Sequence, residues 1–467
     1  MDGSSRSSVT PVTMLTPRQG RHGKSRRRAL FLIALISGLA GVLTTAIVLA
    51  LTGDHGGPGP VAVSAKEVGT VAAGAPRSWP AWGFTHTQNS ADGPQGFDQA
   101  RADLAAQPVV QVQSIMGWGT DNPEPANGAF NFGSLDKRIQ LIRETKGTPV
   151  ITLCCSPDWM KGGAQGQTDW AKLETAPSPQ HYDDFAQLAA KVAARYPDVK
   201  YFVVWNEFKG FFDNGRNRWA YEDFTTFYNK VYTALKKVNP DIKVGGPYMV
   251  MNSNVPNQSD QSAVRGSWGS LDPRVIDAVR YWMKNKKGAD FLAVDGWSLP
   301  EQRQIPVNEF SVLSKFSDVT KWLRGLGGDL PIWWAEWYVE PAGAGWTDEH
   351  LGAVQAAAMM EFVRGGAATA LYWSPQTATS TDCTGCLWSG AQAGGRGTPT
   401  LTMLQNFAKW FPPGTTLMGV KSSNPTVRTL ASTKELLVVN AGDRPATSVV
   451  DGKTLDLGPY EVRWIGR

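Results

Sequence analysis

From Trp79 onward two hydrophobic patterns alternate along the chain. Short apolar, β-rich runs occur at Ala81–Thr87, Val109–Ile115, Pro149–Cys155, Tyr201–Trp205, Ile242–Gly246, Phe291–Gly296, Pro331–Trp337 and Ala368–Trp373. Between them the apolar residues recur every three or four positions, as in Leu135–Thr145, Tyr182–Arg195, Tyr221–Val238, Pro273–Lys284, Val319–Leu326 and His350–Arg364. The first spacing belongs to strands, the second to helices with one buried face. Eight strand signals alternating with helices over residues 79–410 predict an α/β fold, a (β/α)8 barrel of the TIM type. The competing architecture is a doubly wound open sheet, which would carry a Gly-rich phosphate loop after its first strand; the sequence has none there. From residue 411 the rhythm changes. Val427–Leu430, Leu436–Val439, Thr447–Val450 and Tyr460–Ile465 are short β runs separated by Gly, Pro, Asn and Asp. They predict a small β-sandwich accessory domain over 411–467, completed by residues just before Trp79.

The first 78 residues read differently. Residues 1–28 hold seven basic side chains and one acid, Asp2, and would form a basic cytoplasmic tail. Ala29–Leu51 is an uncharged run of 23 residues, long enough to cross a bilayer core of about 30 Å as a transmembrane helix. The cationic flank predicts that everything after it lies outside the cell. Two readings stay open: an uncleaved signal anchor in the cell membrane, or a cleaved signal and a secreted protein. Residues 52–78, rich in Gly, Ala and Pro, form a linker.

Charge and composition narrow the partners. The chain of 467 residues has 46 basic and 41 acidic groups, but the tail's excess leaves 39 basic against 40 acidic beyond it. A body without net positive charge is not built to bind nucleic acid. With 19 Trp and only five His, the folded part has aromatic surface to spare and little material for a histidine-rich metal site. Nothing calls for a metal or an organic cofactor, and oligomeric state leaves no trace. Cys383 and Cys386, in CTGC, predict a local disulfide outside the cell. Cys154 and Cys155 are adjacent; a trans peptide sets their α-carbons about 3.8 Å apart, below the usual disulfide range, which favours two free thiols.

In a barrel of this kind, acids at the C-terminal ends of strands point into the site. Glu207 closes the fourth strand signal (YFVVWNEF) and Glu336 sits in the seventh (IWWAEWY). Strands four and seven face each other across the mouth. Burying an unpaired carboxylate among aromatics costs several kcal/mol, so two such placements imply chemistry. Cleavage of a glycosidic bond uses such a pair, one acid protonating the leaving oxygen and the other attacking the anomeric carbon or activating water. Pyranose C–H faces stack on indoles, and Trp118, Trp159, Phe211, Phe212, Trp297, Trp337, Trp346 and Trp388 fall near strand ends or the following loops. His86, at the end of strand one, is a candidate ligand for a sugar hydroxyl.

YFVVWNEFKGFF followed by DIKVGGPYM resembles the fourth- and fifth-strand region of glycoside hydrolase family 39, a family of retaining (β/α)8 glycosidases. FNFGSLDKRIQLIRETKGTPVITLCCSPDWM is similar to its third-strand region, LPIWWAEWY to its nucleophile strand and ALYWSP to its eighth strand. The resemblance implies Glu207 as acid/base, Asn206 as the ligand of the sugar 2-hydroxyl, Glu336 as nucleophile and Trp373 as the floor of the sugar site. It implies double displacement, starting from a Glu207 kept protonated by the neighbouring Glu336 charge; the rim aromatics and the tether predict an extracellular oligo- or polysaccharide as substrate. The family's His-x-Tyr element on strand six is replaced by Asp295 and Trp297. Its Arg/His element on strand two is replaced by Gln111, Gln113 and Trp118, and the proline after the acid/base by Phe208. These departures leave the sugar open and keep two alternatives alive, a carbohydrate-binding pseudoenzyme on the same barrel and a transglycosylase.

Overall fold

The computed structural model describes residues 65–87, 90–93, 95–113, 122–255, 261–300, 308–339, 345–373 and 385–467. Eight strands close into a parallel barrel: β1 (Trp82–Thr85), β2 (Val110–Gln113), β3 (Thr148–Leu153), β4 (Tyr201–Val204), β5 (Lys243–Val250), β6 (Phe291–Trp297), β7 (Ile332–Tyr338) and β8 (Thr369–Trp373). Every one lies on a predicted run. Each is followed by a helix: α1 (Asp98–Ala106), α2 (Gly133–Glu144), α3 (Tyr182–Arg195), α4 (Tyr221–Val238), α5 (Pro273–Asn285), α6 (Ser314–Gly327), α7 (Asp348–Gly365) and α8 (Pro399–Trp410).

The helices form where apolar residues share a face. In α4, Phe224, Phe227, Tyr228, Val231 and Leu235 are all buried on one stripe against the barrel. Helix α5 begins at Asp272, whose carboxylate accepts from the Arg274 N–H at 2.8 Å, with Pro273 in the first turn where no N–H is missed. Helix α7 is buried almost all round, since it lies between the barrel wall and the C-terminal sheet.

One end of the barrel is plugged by rings. Trp79 makes edge contacts with Tyr201, Phe291 and Trp333 at centroid distances of 5.7, 6.3 and 5.9 Å, and Phe291 stacks on Trp333 at 4.0 Å. Gly245 makes room for this layer, because a Cβ there would run into the Phe291 ring.

The C-terminal region forms β9 (Thr416–Met418), β10 (Val427–Ser432), β11 (Glu435–Asn440), β12 (Ala446–Val450), β13 (Lys453–Leu457) and β14 (Val462–Gly466). The strand Glu67–Thr70, inside the stretch read as linker, pairs antiparallel with β9 and makes the edge of a five-stranded sheet running on through β10, β11 and β14. Alternation in β11 covers both faces: Leu437 and Val439 join the main core, while Leu436 and Val438 pack with Val427, Ala431, Val450 and Leu457 beneath the β12–β13 hairpin.

One expectation is corrected. Cys154 and Cys155 are joined in a disulfide, not free, because the peptide between them is cis and their α-carbons are 3.0 Å apart, closer than the trans geometry assumed. Cys386 is also disulfide-bonded; Cys383 lies outside the described residues. The expected span 29–51 and the tail 1–28 likewise lie outside them. Among the described residues no helix is long and apolar enough to cross a membrane.

Candidate active site

Beyond Val204 the chain turns sharply. Trp205, Glu207 and Phe208 have positive φ of 66°, 52° and 55°, a left-handed backbone that costs non-glycine residues of order 1–3 kcal/mol each. Aromatic anchors offset that strain. Trp205 is fully buried between Phe185, Phe211 and Phe227, and Phe208 stacks on Phe224 at 3.8 Å. The Trp205 indole N–H donates to the Lys209 carbonyl at 2.8 Å, closing the turn. Asn206 is buried in this turn, beside the only partly exposed Glu207.

Opposite, Glu336 of β7 pairs in register with Asp295 of β6, and both strands carry irregularities at this level that re-aim their side chains. The Thr85 hydroxyl of β1 donates to the Ala335 carbonyl at 3.0 Å, and the Met251 N–H to the Asp295 carbonyl at 2.8 Å. These bonds fix the backbone under both acids. One carboxylate oxygen from each of Glu207, Asp295 and Glu336 lies within 4.8 Å of the others. These oxygens are closer than the roughly 6.5–9.5 Å of an inverting pair and nearer the roughly 5–5.5 Å of a retaining one. Such a trio could also enclose a cation.

A cation of the chain already serves them. Lys209 Nζ is 2.8 Å from Glu207 Oε2 and 2.6 Å from Glu174 Oε1. Burial works against this ammonium, but the two carboxylates outweigh it and hold it above the ordinary lysine range. Burial, then the Glu207 charge, pushes Glu336 up to about 8, opposed by a hydrogen bond from Tyr248 and by Lys209. Asp295 is held well above the usual range by burial and then by the charges of Glu207 and Glu336, and it is hydrogen-bonded to Glu207. The upward shifts thus fall on the two deeply buried acids, while Glu207 is the one that pairs with Lys209.

Tyr248, Lys209 and Glu174 escaped the sequence reading. Tyr248 follows the cis Gly246–Pro247 bond on β5, has φ of 56° and brings its hydroxyl to Glu336. It makes its contact to Glu336 from strand five. The run GGPYM was the available signal, since glycine and proline beside a strand tyrosine mark a bent backbone.

The other candidates divide. Trp297, Tyr338 and Trp373 form a row along the ends of β6, β7 and β8, with centroids 5.4 and 5.8 Å apart and all three rings partly exposed. His86 is buried; Nε2–H donates to Gln111 Oε1 at 3.0 Å while Nδ1 accepts from the Ser90 hydroxyl at 2.6 Å, so both ring nitrogens are engaged within the protein. Burial and then the Arg138 charge keep it well below the usual histidine range, hence neutral. Trp118 lies outside the described residues. Trp159, Phe211, Trp337 and Trp388 are core residues, not rim aromatics: Trp337 packs on Phe316 and Phe362, Trp388 on Phe84.

Fold and site together define a (β/α)8 barrel with three carboxyls gathered at the C-terminal ends of its strands. Residues 113–267 match the model of Glycosyl hydrolases family 39, and the chain resembles that family there as its motifs implied. A β-xylosidase from Caldicellulosiruptor saccharolyticus is 28% identical over 142 residues, which is 28% of this chain and 28% of that protein. Among solved structures, a GH39 β-xylosidase from Caulobacter crescentus superposes with a TM-score of 0.52 at 14% identity, covering 82% of this chain and 81% of its own. A conserved exported protein from Bacteroides fragilis gives 0.58 at 12% identity, covering 86% and 98%. At such identities the superpositions speak for the fold.

Proposed function

We propose that the protein is a retaining glycoside hydrolase, xylosidase-like in type, that cleaves O-glycosidic bonds of an extracellular oligo- or polysaccharide. The observation that carries this reading is the closeness of Glu207 and Glu336 at the mouth of the barrel, within 4.8 Å, from opposite strands. Glu336 attacks the anomeric carbon while Glu207 gives its proton to the departing oxygen. Glu207 then takes a proton from water, whose oxygen displaces Glu336 from the sugar. Asn206 binds the 2-hydroxyl, and Trp373 with Trp297 and Tyr338 presents ring faces to the saccharide. No group outside the chain is needed. The uncharged run 29–51 directs the barrel outside the cell, as a signal anchor or as a cleaved signal.

One observation favours a second reading, a carbohydrate-binding protein without turnover: Lys209 ion-pairs Glu207, the residue that has to deliver a proton. Incubation of the full chain with activated 2-deoxy-2-fluoro glycosides, followed by peptide mass spectrometry, separates the two. A covalent sugar on Glu336 is the expected result. Tight binding of a glycan, with no adduct and no released sugar across a broad panel, would leave only the binding protein.

A further inference from the structure

We propose that Asp295 is the positioning residue of the general acid: a carboxyl–carboxylate hydrogen bond between Asp295 and Glu207 keeps one proton on the pair, ready for Glu207 to deliver. This rests on the glycosidase reading and gives its third acid a task.

Asp295 ends β6 beside Glu336 in register, and one oxygen of its carboxyl lies within 4.8 Å of an oxygen of each glutamate. Two ionised carboxylates only accept, so at such closeness a hydrogen bond between the two requires a proton on one of them. The other oxygen, Oδ1, is buried without a hydrogen-bond partner. A carboxylate spreads its charge over both oxygens and would leave charge there uncompensated, whereas a carboxylic acid leaves a neutral C=O, a far smaller cost.

The surrounding charges point the same way. Facing Asp295 are Glu207 and Lys209 after β4, Glu336 on β7, Tyr248 on β5 and Lys315 on α6, with Glu174 behind Lys209. Lys209 is shared between Glu207 and Glu174. Lys315 donates to the Ser253 hydroxyl at 3.0 Å, and burial brings its ammonium down to about 7 despite the pull of Asp295. The cluster is short of positive charge and retains protons. Glu207 therefore sits between the Lys209 ammonium and the Asp295 carboxyl.

The proton count closes. In the reactive form Glu336 is ionised and the Asp295–Glu207 pair holds one proton. It passes from Glu207 to the leaving oxygen as the C–O bond breaks and the Glu336–C1 bond forms, leaving the pair without it. In the second step Glu207 takes a proton from water, the water oxygen bonds to C1 and the Glu336–C1 bond breaks. The pair regains one proton.

The test is Asp295→Asn in the full chain, an exchange that keeps size and hydrogen bonding and removes the titrating group. Phenyl glycosides, which need the acid, should lose about 10²-fold in kcat/KM, while 2,4-dinitrophenyl glycosides, which do not, stay within about threefold. The alkaline limb of kcat/KM should move to lower pH. Fluoroglycoside labelling of Glu336 should persist. Equal losses on both substrates, or an unmoved limb, overturn the role of Asp295 and leave the glycosidase reading standing. A wild-type chain that neither turns over nor labels on Glu336 overturns both. Carboxyl NMR of wild-type protein labelled with 13C-aspartate avoids any folding defect of the variant: one aspartate should stay protonated through neutral pH, and full ionisation of all of them there rejects the proposal.

Discussion

The two ends of the barrel are built from the same strands to opposite ends. At the N-terminal end, Tyr201, Phe291 and Trp333 meet Trp79 in a dry aromatic layer in which every ring finds a neighbour. A few residues along β6 and β7 stand the buried Asp295 and Glu336, and just past β4 stands the partly exposed Glu207 on left-handed backbone. The first end lowers the free energy of the fold through burial and packing. The second raises it through strain and like charge. A strand can carry both because its lower half fixes its place in the ring, leaving the upper half to hold groups that no stability argument would choose.

That contrast is breakable at either end. Glu336→Gln should lower kcat by about 10⁴-fold or more, the scale on which hydrolases feel the loss of a nucleophile. Its melting temperature should nonetheless hold or rise; a variant that lost activity by unfolding would show that Glu336 supports the structure. Trp333→Ala should do the converse, costing about 3–5 kcal/mol in a denaturant titration while the surviving folded molecules keep their turnover. Tyr248→Phe removes a hydrogen bond to a charged group worth about 1.5–3 kcal/mol, so kcat should fall about 10- to 100-fold with little change in melting.

The last effect is a dependence on pH. Folding raises Glu336 from an ordinary 4.5 to about 8, so the folded state binds this proton more tightly than the unfolded chain does. The corresponding stability is fully present below the ordinary glutamate range and fades as pH climbs through about 8. Differential scanning fluorimetry of the parent and Glu336→Gln across that range should therefore show the gap widening with pH in favour of the variant. Parallel curves would mean that Glu336 is ionised throughout.

Legibility followed the physics. The eight strands could be read because their inward and outward faces are both buried and so consist of consecutive apolar residues, as in Phe291–Val294. Helix α1 was not read, since only Ala100 and Leu104 of its nine residues are buried and its stripe is faint. Glu207 and Glu336 stood out as acids set in aromatic sequence. Tyr248 did not, because a tyrosine in a strand is ordinary and only the bend after Gly246–Pro247 turns it toward Glu336. The pairing of Lys209 with Glu174 and Glu207 joins two separate loops, which no local pattern records. The Cys154–Cys155 bond was missed because a rule about trans peptides was applied to one that is not.

The antiparallel pairing of Glu67–Thr70 with Thr416–Met418 has a consequence for how the molecule is made. The ribosome releases the first of these partners before any of the barrel and the second after all of it. At about 5–20 residues per second, the early strand waits on the order of tens of seconds, its edge open to any passing chain. The accessory sheet thus works as a clasp that closes only after residue 418 has been made, and a product halted at residue 410 would leave the cell's folding machinery an unmistakable loose end.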